Sequence, residues 1–342
     1  MTESKLSKQT AEKGRNMKIF IYNFREDEKQ FYDKFCEKYD VEIGKCSDYP
    51  SMENAELTRG YEGVSILVSD MNEKILQKFH DMGVKYITTR SVGFDHFDMN
   101  KVRELGLRVS TVAYSPQTVA NYAIMLMLMC CRKAKYIMQT SAINEFSLAG
   151  KRGIEISGKT IGIIGTGKIG TTVLKHLSGF GCKLIAYDVY ESEEAKKYAE
   201  YVDFDTLLKT SDIVSFHAPS LPENYHMLND ETVKKMKDGV IIINTARGGL
   251  VDSQAIINGV VSGKIGAAGL DVIESEFGLY YLNLTSQIVD NKELTMLRSF
   301  PNVIVTPHTA FYTDESISDM IENAIKGCCL FAEGKENPLE VK

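Results

Sequence analysis

The 342 residues are 44% hydrophobic and 25% charged, the balance of a soluble globular protein too long for one ordinary core, so two domains are expected. A formal net charge of -6 argues against a general nucleic-acid binder, which needs a basic face for phosphates. Seven cysteines, with doublets at Cys130-Cys131 and Cys328-Cys329 and no CxxC pair, suit neither a disulfide framework nor a metal or redox motif, and point to a reducing cytoplasm.

Residues 1–16 are polar, lack the apolar stretch of a signal peptide, and read as a disordered tail. From Met17 to about Val112 a strand–helix rhythm repeats. Strands are predicted at Lys18–Tyr22, Val41–Ile43, Ser65–Val68, Tyr86–Thr89 and Arg108–Thr111, with polar periodic helices at Asp27–Tyr39, Asn72–Met82 and Asn100–Leu105. The alternation predicts a small open α/β sheet with no phosphate loop of its own. Ser115-Pro116 then reads as a helix start, with Ser as cap and Pro at the first helical position. That helix should run to about Ala134 and is apolar nearly all round, as a core helix or a subunit interface would be. Its apolar run, Tyr122 to Cys131, is ten residues long. A membrane span needs about 20.

From Gly158 a second α/β series begins. Thr160–Ile164 reads as a buried parallel strand, and Gly165-Thr166-Gly167-Lys168-Ile169-Gly170 after it fits G-x-G-x-x-G. Ile169–Phe180 reads as a helix and Lys183–Tyr187 as a strand ending at Asp188. Strand, glycine turn, helix, strand and acid together form the dinucleotide-binding context. Gly165 and Gly167 allow a tight turn and close approach of backbone N–H groups to a pyrophosphate; Gly170 allows close helix packing. Asp188 should accept from the adenosine ribose diol, and with no Arg beside it a 2′-phosphate would be repelled, so NAD is favoured over NADP. The alternative for Asp188 is a local turn with Val189-Tyr190. His217, at the end of another strand, is read as structural rather than catalytic.

Further strands follow at Asp212–His217, Val240–Asn244, Ile265–Asp271 and Val303–Thr306, and a last helix at Asp314–Ala332 should cross back to complete the first domain. Three segments fall where these strands reach their carboxyl ends: Asn244–Asp252, Gly269–Glu276 and Thr306–Tyr312. Reducing a 2-oxo acid requires a forked cation for its carboxylate and carbonyl oxygens, and a proton donor near neutral pH. A carboxylate beside a histidine orients the ring and favours its charged form, each unit of pKa shift corresponding to about 1.4 kcal/mol. Arg247, His308 and Glu276 can fill these roles, with Glu274 as the neighbouring competitor for the acid.

These residues carry a resemblance. Thr89-Arg90-Ser91-Val92-Gly93, Val112-Ala113-Tyr114-Ser115-Pro116, the GTGKIG loop, Asn244-Thr245-Ala246-Arg247-Gly248 and Thr306-Pro307-His308-Thr309-Ala310-Phe311-Tyr312-Thr313 are similar to the D-2-hydroxyacid dehydrogenases, in their D-lactate dehydrogenase branch, which includes enzymes tied to vancomycin resistance. The resemblance covers the chain from Met17 onward. It implies a catalytic set of Arg247, Glu276 and His308, the acid five residues after Asp271 being selected over Glu274. It also implies that the Val92 and Gly93 amides hold the substrate carboxylate and that Tyr114 and Phe311 line its side-chain pocket. Gly165, Gly167, Lys168, Ile169, Gly170, Asp188, Ala218, Pro219, Asn224, Thr245, Ala246 and Asp271 match NAD-contacting positions.

The fold class expected is α/β, as two Rossmann-like doubly wound parallel-sheet domains with a cleft between them. Residues 17–114 plus 311–342 would form a flavodoxin-like substrate domain, and 115–310 the NAD-binding domain. A cytoplasmic homodimer acting on a small 2-oxo acid or D-2-hydroxy acid follows, with no metal, nucleic acid or membrane partner. Pyruvate is the substrate first expected, with phenylpyruvate and 4-methyl-2-oxopentanoate as bulkier alternatives, since Phe94, Tyr114, Phe311 and Tyr312 could form a tight aromatic pocket. Corepressors of the same fold that use NAD as a conformational ligand are the rival from another class. Formate dehydrogenases pair the histidine with Gln, and L-lactate and malate dehydrogenases carry their glycine loop near the N-terminus.

Overall fold

The computed structural model describes residues 17–276 and 278–342, so the tail reading of residues 1–16 lies outside the described residues. The chain divides into two compact units, one formed by residues up to Tyr114 together with Asp314–Lys342, the other by Ser115–Thr313.

The first unit opens with β1 (Met17–Ile21), α1 (Lys29–Tyr39), β2 (Val41–Lys45), β3 (Gly63–Ile66), α2 (Glu73–Asp81), β4 (Tyr86–Thr89), α3 (Met99–Glu104) and β5 (Arg108–Ser110). The five strands are parallel in the order β2-β1-β3-β4-β5, the flavodoxin-like order. Side chains hold the helix starts where the sequence offers them: Asn72 caps α2 and Asp98 caps α3 through bonds to first-turn amides.

The second unit begins with α4 (Pro116–Cys131). Pro116 occupies its first turn as expected, but Ser115 makes no side-chain cap, its hydroxyl pointing to Gln117 Oε1 at 3.3 Å. The helix stops short of Ala134 because Lys133 adopts a left-handed φ of 52° and the Cys131 carbonyl turns to accept from Ile154 N at 2.9 Å. A separate helix, α5 (Ala134–Ala142), follows. The inner face of α4 (Ala120, Ala123, Leu126, Met127, Cys130) is buried with Ile161, Ile163, Ile241 and Ile243 of the sheet, so a packed core helix is part of its role.

The unit continues through β6 (Thr160–Ile164), α6 (Lys168–Leu177), β7 (Lys183–Tyr187), β8 (Glu200–Tyr201), α7 (Phe204–Thr210), β9 (Ile213–Phe216), α8 (Asp230–Lys235), β10 (Val240–Asn244), α9 (Ser253–Ser262), β11 (Ile265–Leu270), α10 (Lys292–Ser299) and β12 (Val303–Val305). All seven strands are parallel, in the order β8-β7-β6-β9-β10-β11-β12. The order reverses beside β6, and such a switch point is where open α/β sheets bind ligands at their carboxyl ends. β9 and β10 are buried along their whole length, which explains their near-continuous apolar sequence.

The chain then returns to the first unit as α11 (Asp314–Ala332), whose stripe of Ile317, Ile321, Ile325 and Cys328 packs on Ile19 and Ile21, and closes with β13 (Glu340–Val341). β13 pairs antiparallel with β5, and Arg108 grips Glu340 through two bonds of 2.8 and 2.7 Å. The unit boundary falls after Thr313 rather than after Ala310. Turn bonds from Tyr312 N to Thr309 O and from Thr313 N to Phe311 O keep Phe311 with the loop that follows β12, so it belongs to the second unit. All seven cysteines are free, and no described helix is long and apolar enough to cross a membrane.

Candidate active site

The glycine turn lies between β6 and α6. Gly165 has a φ of +89°, which favours glycine, and a Cβ there would lie 2.5 Å from Ala218 N at the end of β9. A Cβ on Gly170 would sit 1.9 Å from the Gly165 carbonyl, so helix and turn touch backbone to backbone. Gly167 is different: its side-chain position is open, and it stands at the N-cap of α6 without any side-chain cap. The N–H groups of Lys168, Ile169 and Gly170 occupy the first helical turn, where no intrahelical acceptor exists. An open approach to unpaired N–H groups at a ten-residue helix fits a pyrophosphate.

Asp188 stands behind this turn. Its Oδ2 accepts from Thr166 N at 2.6 Å and Thr166 Oγ1 at 3.0 Å, and Tyr201 donates to the same threonine hydroxyl at 2.7 Å. Oδ1 accepts from Tyr190 N at 3.2 Å, so the local turn weighed from the sequence is also present. The carboxylate is thereby fixed at the carboxyl end of β7. Asp188→Ala is expected to weaken the preference for NADH over NADPH by about 10- to 100-fold, measured as the ratio of the two kcat/KM values. An unchanged ratio would remove the ribose role.

Other expected cofactor positions separate by environment. Thr245 is 7% exposed and its Oγ1 is buried with no partner among the described residues, as a group awaiting a ligand would be. Asn224 closes its own turn, accepting from Leu221 N and donating to Pro219 O, both at 2.8 Å. Ala246 N is held by Asn244 Oδ1 at 3.0 Å. Asp271 is fully buried and commits its carboxylate to the loop after β12, accepting from Thr306 Oγ1 (2.6 Å), Thr309 N (3.0 Å) and Ala310 N (2.9 Å). Burial pushes its carboxyl up, and those bonds partly offset the shift. It positions that loop.

The loop carries His308. Its backbone takes a left-handed φ of 52°, held by His308 N donating to Asp271 O at 2.8 Å and by Tyr281 OH donating to His308 O at 2.8 Å. The imidazole Nδ1 lies 2.8 Å from Glu276 Oε1, and both side chains are 17% exposed. The carboxylate makes Nδ1 the donor, and Nε2 has no hydrogen-bond partner among the described residues. Glu276 reaches the ring because Ser275 is also left-handed, at φ 56°, which reverses the chain after β11. Phe311 meets the imidazole edge-on at 6.2 Å, and Tyr281 meets Phe311 edge-on at 6.4 Å.

Glu274, the competing acid, is occupied elsewhere. Oε1 accepts from His226 Nε2 at 2.6 Å and Tyr225 OH at 3.2 Å, and Oε2 accepts from Ser253 N at the start of α9, at 3.0 Å. Burial alone would raise its carboxyl, but the bonds from His226, Ser253 and Tyr225 outweigh that and hold it below the usual carboxylate range. A depressed folded pKa gives stability present above the unfolded value near about 4.3 and lost as pH falls through the folded one. Glu274→Gln should therefore lower thermal stability at pH 7 and flatten its acid loss between pH 7 and 3. Glu276→Gln should instead leave stability nearly intact and lower kcat by about 10- to 100-fold. The reverse pattern would exchange the two roles.

Arg247 follows β10. Its carbonyl accepts from Asn244 Nδ2 and its Nη1 donates to Ala246 O, at 2.8 and 2.9 Å. A Cβ on the next residue, Gly248, would lie 2.1 Å from Ile273 O, so only glycine lets the arginine turn pass this close to the β11 loop. His217 does not compete for the proton: its Nε2 meets Ser215 Oγ at 2.8 Å, and burial pushes its ring down to about 3.

In the first unit, the loop after β4 presents Val92 and Gly93. Among the described residues their N–H groups donate to nothing, and Val92 is 51% exposed. Ser91 Oγ donates to Gly93 O at 2.6 Å and lies 2.9 Å from Thr89 Oγ1, which in turn lies 3.1 Å from His96 Nε2. This network ties down the loop and leaves those two amides unpaired among the described residues. Tyr114 is partly buried at the end of the same unit and Phe94 is 43% exposed. Sequence reasoning missed the anchoring roles of Tyr281, Thr306 and the Thr89–Ser91–His96 network, because each depends on contacts that no short motif records.

The chain is similar to known proteins over most of its length. Residues 124–310 match the NAD-binding domain of the D-isomer specific 2-hydroxyacid dehydrogenases. The chain is 44% identical over 309 residues to an aromatic 2-oxoacid reductase of Clostridium sporogenes, covering 90% of this chain and 93% of that protein. It is 37% identical to a D-lactate dehydrogenase of Escherichia coli over 95% of this chain and 100% of the relative. Its fold is similar to the NAD-complexed D-isomer specific 2-hydroxyacid dehydrogenase of Lactobacillus delbrueckii, with a TM-score of 0.80 at 31% identity over 95% and 100% of the two chains. The chain belongs to the D-isomer specific 2-hydroxyacid dehydrogenases, NAD-dependent oxidoreductases of the CH–OH group.

Proposed function

We propose that Arg247, Glu276 and His308 are the catalytic set and that the Val92 and Gly93 amides take the substrate carboxylate. The observation that carries this reading is the His308–Glu276 pair: Nδ1 is tied to a carboxylate at 2.8 Å while Nε2 is left for substrate. Glu276 fixes the ring. His308 Nε2 gives its proton to the carbonyl oxygen in reduction and takes it from the hydroxyl in oxidation. Arg247 stabilises the negative charge that grows on that oxygen. The amides at the start of α6 and Asp188 would hold NADH, which would supply the hydride for C2.

The substrate favoured is an aromatic 2-oxo acid of the phenylpyruvate type. Phe311, Tyr281 and Tyr312 form a cluster of edge-on rings beside His308, and the 44% identical relative is an aromatic 2-oxoacid reductase. Pyruvate is the second reading, supported by the D-lactate dehydrogenase relative. Comparing kcat/KM for phenylpyruvate, 4-methyl-2-oxopentanoate and pyruvate with NADH tests the order; a pyruvate value above that for phenylpyruvate would reverse it. Binding of NADH without turnover of any of them would favour the corepressor-type role.

A homodimer is proposed as well. Met138, Ile143, Phe146 and Leu148 are 67%, 76%, 72% and 88% exposed along α5 and the segment after it, an apolar surface that a second copy would cover. Seven free thiols support a cytoplasmic site of action.

A further inference from the structure

Arg90 leads from β4 into the loop that presents the Val92 and Gly93 amides, and it is 1% exposed. Its guanidinium crosses the carboxyl edge of β3 to the end of β1, where Nη1 donates to Ser65 Oγ at 3.1 Å and Nη2 to Tyr22 O and Asn23 O at 3.0 and 3.2 Å. Every one of these acceptors is neutral. Nε has no partner, and among the described residues no carboxylate lies within ion-pair distance of Arg90. The buried acid in the same region, Glu28, pairs with Arg25. Tyr32 is also nearby, but burial raises its phenol, which therefore stays neutral. A buried charge without a counter-ion is costly, and apolar side chains of similar size are usually as good or better for stability. Its field, little screened inside the unit, favours an anion close by.

We propose that Arg90 is a specificity-determining residue for the substrate's carboxylate, supplying a fixed buried charge in the unit whose Val92–Gly93 loop it begins, without touching the substrate. This rests on the reading that those amides hold the carboxylate. Neutral N–H groups donate to an ester or amide carbonyl almost as readily as to a carboxylate. A fixed cation whose backbone roots the same loop makes the ionised group the preferred ligand.

Steady-state kinetics with NADH on phenylpyruvate and on its methyl ester tests the proposal. Arg90→Met is expected to raise KM for the acid by about 10-fold or more, with kcat and NADH affinity within about twofold and kcat/KM for the ester nearly unchanged. Arg90→Lys keeps the charge and should recover most of the acid's KM; Arg90→Gln should behave as Arg90→Met and replaces it if the methionine variant does not fold. Equal losses for acid and ester, or a lysine variant as impaired as the neutral ones, would mean a purely structural role and overturn the proposal. Gly93→Pro, which deletes one amide donor, separates the two claims. A raised KM in Gly93→Pro with none in Arg90→Met and Arg90→Gln overturns the Arg90 role alone; unchanged KM in Gly93→Pro overturns the amide reading itself.

Discussion

His308→Gln is expected to lower kcat for 2-oxo acid reduction by about 10³-fold while NADH affinity stays within about twofold of the parent. Glutamine can keep a hydrogen bond to Glu276 and fill the ring's space, so it subtracts mainly the titratable proton at Nε2. The surroundings should survive the change, because the loop is held by its backbone: His308 N to Asp271 O, Tyr281 OH to His308 O, and the Asp271 carboxylate to Thr306, Thr309 and Ala310. Single-turnover rates and NADH fluorescence titration measure the two quantities separately. A variant within tenfold of the parent in kcat would show that the proton comes from elsewhere.

Arg247→Ala is expected to lower kcat/KM for the 2-oxo acid by about 10³- to 10⁴-fold, and Arg247→Lys by about 10²-fold. The two differ because lysine restores a point charge but not a planar fork that can serve two oxygens at once. The arginine's backbone is fixed by Asn244 and by the close approach at Gly248, so its side chain leaves a rigid turn. The loss should appear in kcat as well as KM, since charge on the carbonyl oxygen grows toward the transition state. Equal activity of the Lys and wild-type proteins would contradict a forked contact.

Much of this was legible in the sequence because the signals are local. A glycine turn between an apolar strand and a helix, followed by a strand ending in Asp188, needs only neighbouring residues to be recognised. The placement of Arg247, Glu276 and His308 after three strands was readable for the same reason. What stayed hidden depends on partners far along the chain. Choosing Glu276 over Glu274 required the family resemblance, because the bond that occupies Glu274 comes from His226, 48 residues away. The loop-holding role of Asp271 was hidden because its bonds run to residues 35–39 positions later. The end of α4 was missed because a left-handed lysine and a carbonyl captured by Ile154 leave no sequence mark. β8 and β13 have two residues each, too few to show a period.

The most direct test of the central claim uses NADH deuterated at C4 on the transferred face, with phenylpyruvate as acceptor and chiral separation of the product. Deuterium at C2 of the D-2-hydroxy acid, formed about 10³-fold more slowly in His308→Gln, is the expected result; the L-isomer, or product without deuterium, would contradict it.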